Sequence, residues 1–394
     1  MDKNRIIQII DWALQQSIRP YEPSQQMNPN SFHIKNLMQS SIIGESAVID
    51  QVTKVLREEK QLNQIFDTVM YVPGFGLPLK PQAIVEWLLA RALAYHSSEI
   101  AANLLQKFVD GRNPPTLEVF ALCGFGVQAE IALPHNISLI PFLSLPQSEM
   151  SDFFQRRPSW CSRDWNFRRI PEPTSALILK DQNGIVISSD ISSQPKIHDE
   201  VFRKVALCLT LFGPSAPTPI ARWCQIEDWS QIPLGGAIGS GVLYLDEILP
   251  EQVFPILDTT MHDVYDITKR YLELDKATYQ RITLPLQRLN LAVKRQSKVD
   301  QAIELRIALE SLLIGENTEH ISAKIRERGS QLIGTDPTNR EEIKQTLKKV
   351  YSLCSRAIHS GTLNNRDDDE ILYQGIKICA DLIQEIINRG SIPD

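Results

Sequence analysis

The chain of 394 residues predicts an α+β region followed by an all-α helical bundle. Three observations predict it. Apolar residues recur at helical spacing through much of residues 1–110, and short β-rich runs separated by Gly and Pro occupy 116–249. From Pro250 onward strand signals vanish and the helical period continues to the end. The length exceeds what one core usually organises, so two domains are expected, 1–249 and 250–394. The first reads as helical over 1–110 and mixed over 116–249.

Arg5–Ile18 places Ile6, Ile9, Ile10, Ala13 and Leu14 on one face, and Pro20 and Pro23 end that helix. Ala47–Phe66 is a second helical stretch. Pro73-Gly74-Phe75-Gly76-Leu77-Pro78 reads as a turn-rich break, and Ile84–Phe108 as one long amphipathic helix stopped by Asp110-Gly111 and Pro114-Pro115. In the mixed region Val119–Leu122, Glu130–Leu133, Ser138–Phe142, Ala176–Leu179, Ile185–Ser188 and Gly241–Leu245 read as strands, with a helix over Val201–Phe212. Asn183-Gly184 predicts a hairpin joining Ala176–Leu179 to Ile185–Ser188. Beyond it, Glu251–Leu274, Ile282–Leu313, Ile321–Leu332, Arg340–His359 and Asp367–Asn388 read as successive helices. Short polar loops such as Gly315-Glu316-Asn317-Thr318 and Gly334-Thr335-Asp336-Pro337 join them, which is a bundle pattern.

Composition bounds the function. Apolar residues make up 43% and charged residues 22%, the balance of a soluble globular chain. The net charge of −6 argues against coating nucleic acid by bulk electrostatics. From Lys276 onward 18 Lys+Arg face 16 Asp+Glu, leaving 23 against 31 upstream, so the helical part is near +2 and the rest near −8. Six scattered cysteines without a CxxC pair predict reduced, buried thiols, no metal and no cofactor. No apolar run approaches the ~18 residues of a membrane span, and Met1–Arg5 does not open a secretory signal, so a cytoplasmic protein is expected.

Three stretches of the helical part carry a family resemblance. The first is Asp300–Leu312, an Asp-containing helix with Ala308-Leu309-Glu310 near its end. The second is Ile321–Gly334, with Arg328 before Leu332-Ile333-Gly334. The third is Tyr351-Ser352-Leu353-Cys354-Ser355-Arg356-Ala357-Ile358-His359-Ser360-Gly361. In this order they resemble the Apea-like branch of the HEPN superfamily, over roughly residues 280–390. The resemblance implies a helical bundle that pairs as a homodimer and brings two Arg–His motifs into one cleft for metal-independent RNA cleavage. His titrates near neutral pH and can move the 2′-OH or leaving-group proton, while a guanidinium supplies fixed positive charge to the phosphorane oxygens.

The departure from that pattern is Cys354, which stands at the motif Arg position. Losing such a charge donor typically costs on the order of 10²–10³ in rate. Arg356, one turn before His359, is the nearest replacement, with Arg306, Arg326 and Arg328 as further cations. The expected catalytic set is therefore His359, Arg356, Cys354, Ser355 and Glu310. Arg328, with Arg163, Trp165, Arg168 and Arg169 from the basic–aromatic run 156–169, is the expected nucleic-acid-binding set. Gly235–Gly241 lacks the lysine of a phosphate loop and reads as a turn. Asp367–Glu370 reads as the acidic first turn of the last helix. The resemblance implies an antiviral or toxin-type ribonuclease with residues 1–249 sensing a phage component or partner protein. The alternative is a non-catalytic module of the same type, binding RNA or a protein.

Overall fold

A six-stranded antiparallel sheet holds the middle of the chain, in the order β10-β9-β3-β7-β6-β5. The computed structural model describes residues 1–16, 46–156, 171–213, 215–233, 241–244, 250, 254–255, 261–314, 319–363 and 365–391. The sheet is built on β3 (Thr116–Cys123), buried along its whole length. It pairs with β7 (Ser175–Asp181) on one side and β9 (Thr218–Ile226) on the other. Because both faces are covered, β3 reads as a nearly continuous apolar run rather than an alternating one. β6 (Ile137–Pro141), β5 (Ile131–Ala132) and β10 (Val242–Leu243) complete the sheet.

One face carries Phe120, Leu122, Leu139 and Leu177, and packs on Phe202 and Val205 of the helix Asp199–Cys208. The other carries Val119, Ala121, Ile140 and Trp223, and packs on Phe154 of the helix Glu149–Arg156. Ahead of the sheet lie α1 (Lys3–Gln15), α2 (Ser46–Glu58), α3 (Lys60–Ile65), α4 (Pro81–Ala94) and α5 (Ser98–Val109). With the sheet helices numbered α6 (Glu149–Arg156) and α7 (Asp199–Cys208), the first helices share a core with Cys224 and Ile226 of β9. The turn-rich break at 73–78 is in fact part of a hairpin, β1 (Val69–Val72) with β2 (Phe75–Pro78), whose turn uses Gly74 at φ +92°.

The hairpin expected at Asn183-Gly184 does not form. β8 (Val186–Ser188) leaves β7 and pairs with β1 instead, giving the small sheet β2-β1-β8. The turn itself is present, with Asp181 Oδ1 accepting the Asn183 N–H at 2.8 Å, but a β-carbon on Gly184 would collide with Thr116. The single helix expected over Ile84–Phe108 is two, because His96 takes φ +49° and Ser97 caps α5 by accepting the Ile100 N–H.

The C-terminal part is helical, as its periodicity predicts. α8 (Met261–Glu273), α9 (Lys276–Lys294), α10 (Lys298–Leu313), α11 (Ile321–Ile333), α12 (Pro337–Ser360) and α13 (Asp368–Arg389) pack as a bundle. Of the expected helix Glu251–Leu274, Met261–Glu273 is helical, whereas Phe254–Pro255 forms a short strand, β11, parallel to β4 (Phe125–Gly126). The expected Ile282–Leu313 divides at Arg295, where Ser297 accepts the Asp300 N–H and caps α10. Gly375 of α13 lets Leu305 and Val350 approach to within 2.8 Å of where a β-carbon would lie. No described helix is long and apolar enough to cross a membrane.

Asp381 on α13 has its carboxyl raised above 3.8, chiefly because burial disfavours the charge. A raised folded value means that ionising this group costs stability as the pH rises through it. Asp381→Asn is therefore expected to raise the thermal midpoint at pH 7, with the gain shrinking as the pH falls toward the unfolded value. Thermal melts across that range check the sign.

Candidate functional site

α12 carries the motif expected over Tyr351–Gly361, and its ends are set by local chemistry. Asp336 accepts the N–H groups of Thr338 and Asn339 at 2.9 and 3.0 Å, and Pro337 occupies the first turn. Gly361, at φ +65°, donates its N–H to Ala357 O at 3.0 Å and ends the helix. At about 100° per residue, Val350, Leu353, Cys354 and Ala357 turn inward while Ser352 and His359 face solvent.

Cys354 is fully enclosed, at 0% exposure, in the core that α9 to α13 share. Burial pushes its thiol up to about 12, although the charge of Arg306 pulls the other way. It is a neutral packing group. Arg356 forms an ion pair with Asp368, whose side chain is 3% exposed and whose other oxygen accepts the Asn365 N–H at 3.0 Å. The guanidinium is thus committed to fastening α12 to the start of α13. His359 is exposed in the last turn, and Ser355 lies half-buried one turn earlier.

Glu310 and Arg306 sit one turn apart on α10, with Arg306 Nε donating to Glu310 Oε1 at 2.6 Å. The Tyr351 hydroxyl donates to the same oxygen at 3.1 Å, and the Arg306 guanidinium lies 5.0 Å from the centre of the Tyr351 ring. This is a compact Arg–Glu–Tyr cluster across α10 and α12. Eight residues separate Tyr351 from His359, a rise of about 12 Å along the helix. The Arg306 cation, stacked from α10 at the level of Tyr351, and the His359 imidazole therefore lie at different levels along α12 rather than in one pocket.

Arg328 is a structural cap: its Nη1 donates to Leu313 O at 2.8 Å, satisfying a carbonyl at the end of α10. Arg326 Nε donates to Ser322 O at 3.2 Å within α11. Arg163, Trp165, Arg168 and Arg169 lie outside the described residues, as does most of Gly235–Gly241. Sequence spacing does not reveal Asp368 as the partner of Arg356, since the two lie on different helices. Nor does it reveal Glu304, 5% exposed, which binds Arg295 at 2.8 Å and Arg288 at 3.0 Å between α9 and α10. In the sheet region it misses a cluster of Glu118, His198, Asp199 and Arg222. Among the described residues no group of three His, Cys, Asp or Glu is placed to hold a metal ion. Comparison with protein-family models, curated proteins and solved structures finds no match.

Removing Arg356 strands a buried carboxylate. Arg356→Ala is expected to destabilise the chain by about 2–3 kcal/mol, below the figure for a fully buried pair because Arg356 itself is 40% exposed. Arg356→Ala with Asp368→Asn should recover most of that loss in denaturant titrations. Cys354 should also resist iodoacetamide at pH 8 in the folded chain and react once it is unfolded in guanidinium. Mass mapping of the labelled thiols reads this directly.

Proposed function

We propose that the C-terminal bundle is a HEPN-type module that binds RNA and, as the chain stands, does not cut it. One observation carries the reading: neither motif position before His359 offers a free guanidinium. Position 354 holds a buried neutral thiol, and Arg356 is tied to Asp368. Without fixed charge for the phosphorane oxygens, an exposed imidazole supplies proton transfer but not the electrostatic part of the catalysis.

What remains suits binding. The Arg306 guanidinium lies 5.0 Å from the centre of the Tyr351 ring with no described acceptor for its Nη groups, and Lys348 and Lys349 are exposed on α12, the helix of Tyr351. These cations contact phosphates without reading sequence. Ile358, 45% exposed beside His359, is an apolar residue that pairing with a second copy would cover. The wider role, an antiviral or toxin-type protein whose first 249 residues sense a phage component or partner, follows from the resemblance of Asp300–Leu312, Ile321–Gly334 and Tyr351–Gly361.

The test is a gel-shift and cleavage assay on end-labelled single-stranded RNA, with chelator present. The native chain is expected to retard the RNA and leave it intact. Arg306→Gln should weaken retardation by about tenfold irrespective of RNA sequence and reduce its salt dependence. Chelator-resistant cleavage by the native chain, lost in His359→Ala, would replace this reading with the catalytic one. Absence of any retardation at low salt would remove both.

A further inference from the structure

A second site lies in the sheet region, apart from the bundle. The turn of the β1–β2 hairpin stands over the central sheet and leaves a pocket of about 110 Å³. Its walls include Gly74 and Phe75 from the hairpin, Glu118 from β3, Arg222 and Cys224 from β9, and Val242 from β10. Pairing explains the grouping. Glu118 lies opposite Cys224, Phe120 opposite Arg222, and Val242 opposite Arg222 on the far side of β9. Directly opposed residues share one face of a sheet, so the register gathers these side chains under the hairpin.

The polar groups here differ in how far they are satisfied. Glu118 is 3% exposed, and both of its oxygens are engaged by His198: the backbone N–H donates at 3.1 Å and Nδ1 lies at 2.6 Å. Asp199 accepts the Tyr244 hydroxyl at 2.5 Å and Arg203 Nε at 2.7 Å. Burial alone would raise its carboxyl, but these donors hold it below the ordinary value. Arg222 is the exception. Its Nε lies 3.7 Å from Asp199 Oδ1, beyond hydrogen-bond range, and is buried with no acceptor among the described residues. The side chain is only 17% exposed, so water does not freely replace the missing partner.

We propose that this pocket binds the oxyanion group of a small molecule, a carboxylate or a phosphate, with Arg222 as its fixed cation. A guanidinium offers a planar fork of donors matched to two oxygens of such a group. Each oxygen of Glu118 and Asp199 is already engaged by His198, Tyr244 or Arg203, which offsets part of their charge and leaves the Arg222 fork for the bound anion. The volume equals a few waters at about 30 Å³ each, which suits one oxyanion group with its remainder leaving past the exposed Val242. Phe75 and Cys224 make the walls partly apolar, and a drier site strengthens the charge contact. A β-carbon at Gly74 would lie 3.3 Å from Ile197, next to His198, so the hairpin turn sits close against the segment that carries His198.

Binding is measured by thermal midpoint on the full chain, titrated with inorganic phosphate and separately with succinate, against sodium chloride at equal ionic strength. One of the two anions is expected to raise the midpoint saturably at millimolar concentration, and which one does so identifies the group. Arg222→Gln should abolish the shift, and Arg222→Lys, which keeps the charge but loses the fork, should weaken affinity about tenfold. Val242→Trp changes no charge and sits at the exposed rim, so it should fold normally and also lose the shift by blocking entry. No saturable shift with either anion, or an equal shift in Arg222→Gln or Val242→Trp, overturns the proposal.

Discussion

The architecture depends on one junction, where the end of α7 enters the helical bundle. Cys208 and Leu211 belong to the same core as Leu286, Leu309 and Ile383, so apolar burial is continuous from the sheet region into the C-terminal helices. Backbone groups carried into such a junction must find partners or pay a desolvation penalty. Here two side chains of the bundle supply them. Gln384 Nε2 donates to Leu211 O at 2.8 Å, and Asn290 Nδ2 donates to Thr210 Oγ1 at 2.9 Å and to Pro217 O at 3.4 Å. α8 bridges the same boundary, with Val264 in the sheet core and Ile267 and Tyr271 in the bundle core. The helices and the sheet are thus coupled through packing rather than linked by a loose tether.

Within the bundle, charge is disposed to hold helices together. Arg288 and Arg295 converge on Glu304, Arg356 fixes Asp368, Arg306 holds Glu310, and Arg328 caps α10. Each such arginine lies at a helix–helix seam or a helix end, where its removal would strand a carboxylate or a carbonyl. The positive charge of the C-terminal part is therefore partly taken up inside the bundle, while Lys348 and Lys349 stay exposed on α12. Arg222 differs in its setting: Asp199, 3.7 Å from its Nε, already accepts from Tyr244 and Arg203.

The C-terminal end of α12 is legible because caps are local: Gly361 announces it within a residue or two. Its start is less so, since Asp336-Pro337 reads as loop, and the expected Arg340–His359 falls inside the observed Pro337–Ser360. The division between α9 and α10 was not, since Arg295-Gln296-Ser297 contains neither Gly nor Pro. β9, at the heart of the sheet, escaped notice because Pro219, Arg222 and Gln225 interrupt its apolar pattern; what makes it a strand is its pairing with β3, about a hundred residues earlier. The same non-locality misdirected the Asn183-Gly184 signal. The turn chemistry was read correctly, but the strand that follows finds its partner in β1. The site divided along similar lines: His359 and Glu310 could be singled out, but their surroundings, Asp368 and the Arg306–Tyr351 stack, belong to contacts between helices.

The thiol at position 354 and the arrangement of Arg306 fit together physically. An arginine in place of Cys354 would have to draw its charge out of a fully buried position toward the nearest carboxylate, Glu310. That carboxylate already accepts from Arg306 and from Tyr351. A guanidinium at position 354 would have to start from a fully buried site and reach an acceptor already engaged by two donors. A small thiol instead lets α12 settle against the core while Arg306 keeps its charge at the seam from the neighbouring helix. The cation at this seam therefore belongs to α10, at the Tyr351 level of α12, about two turns along the axis from His359.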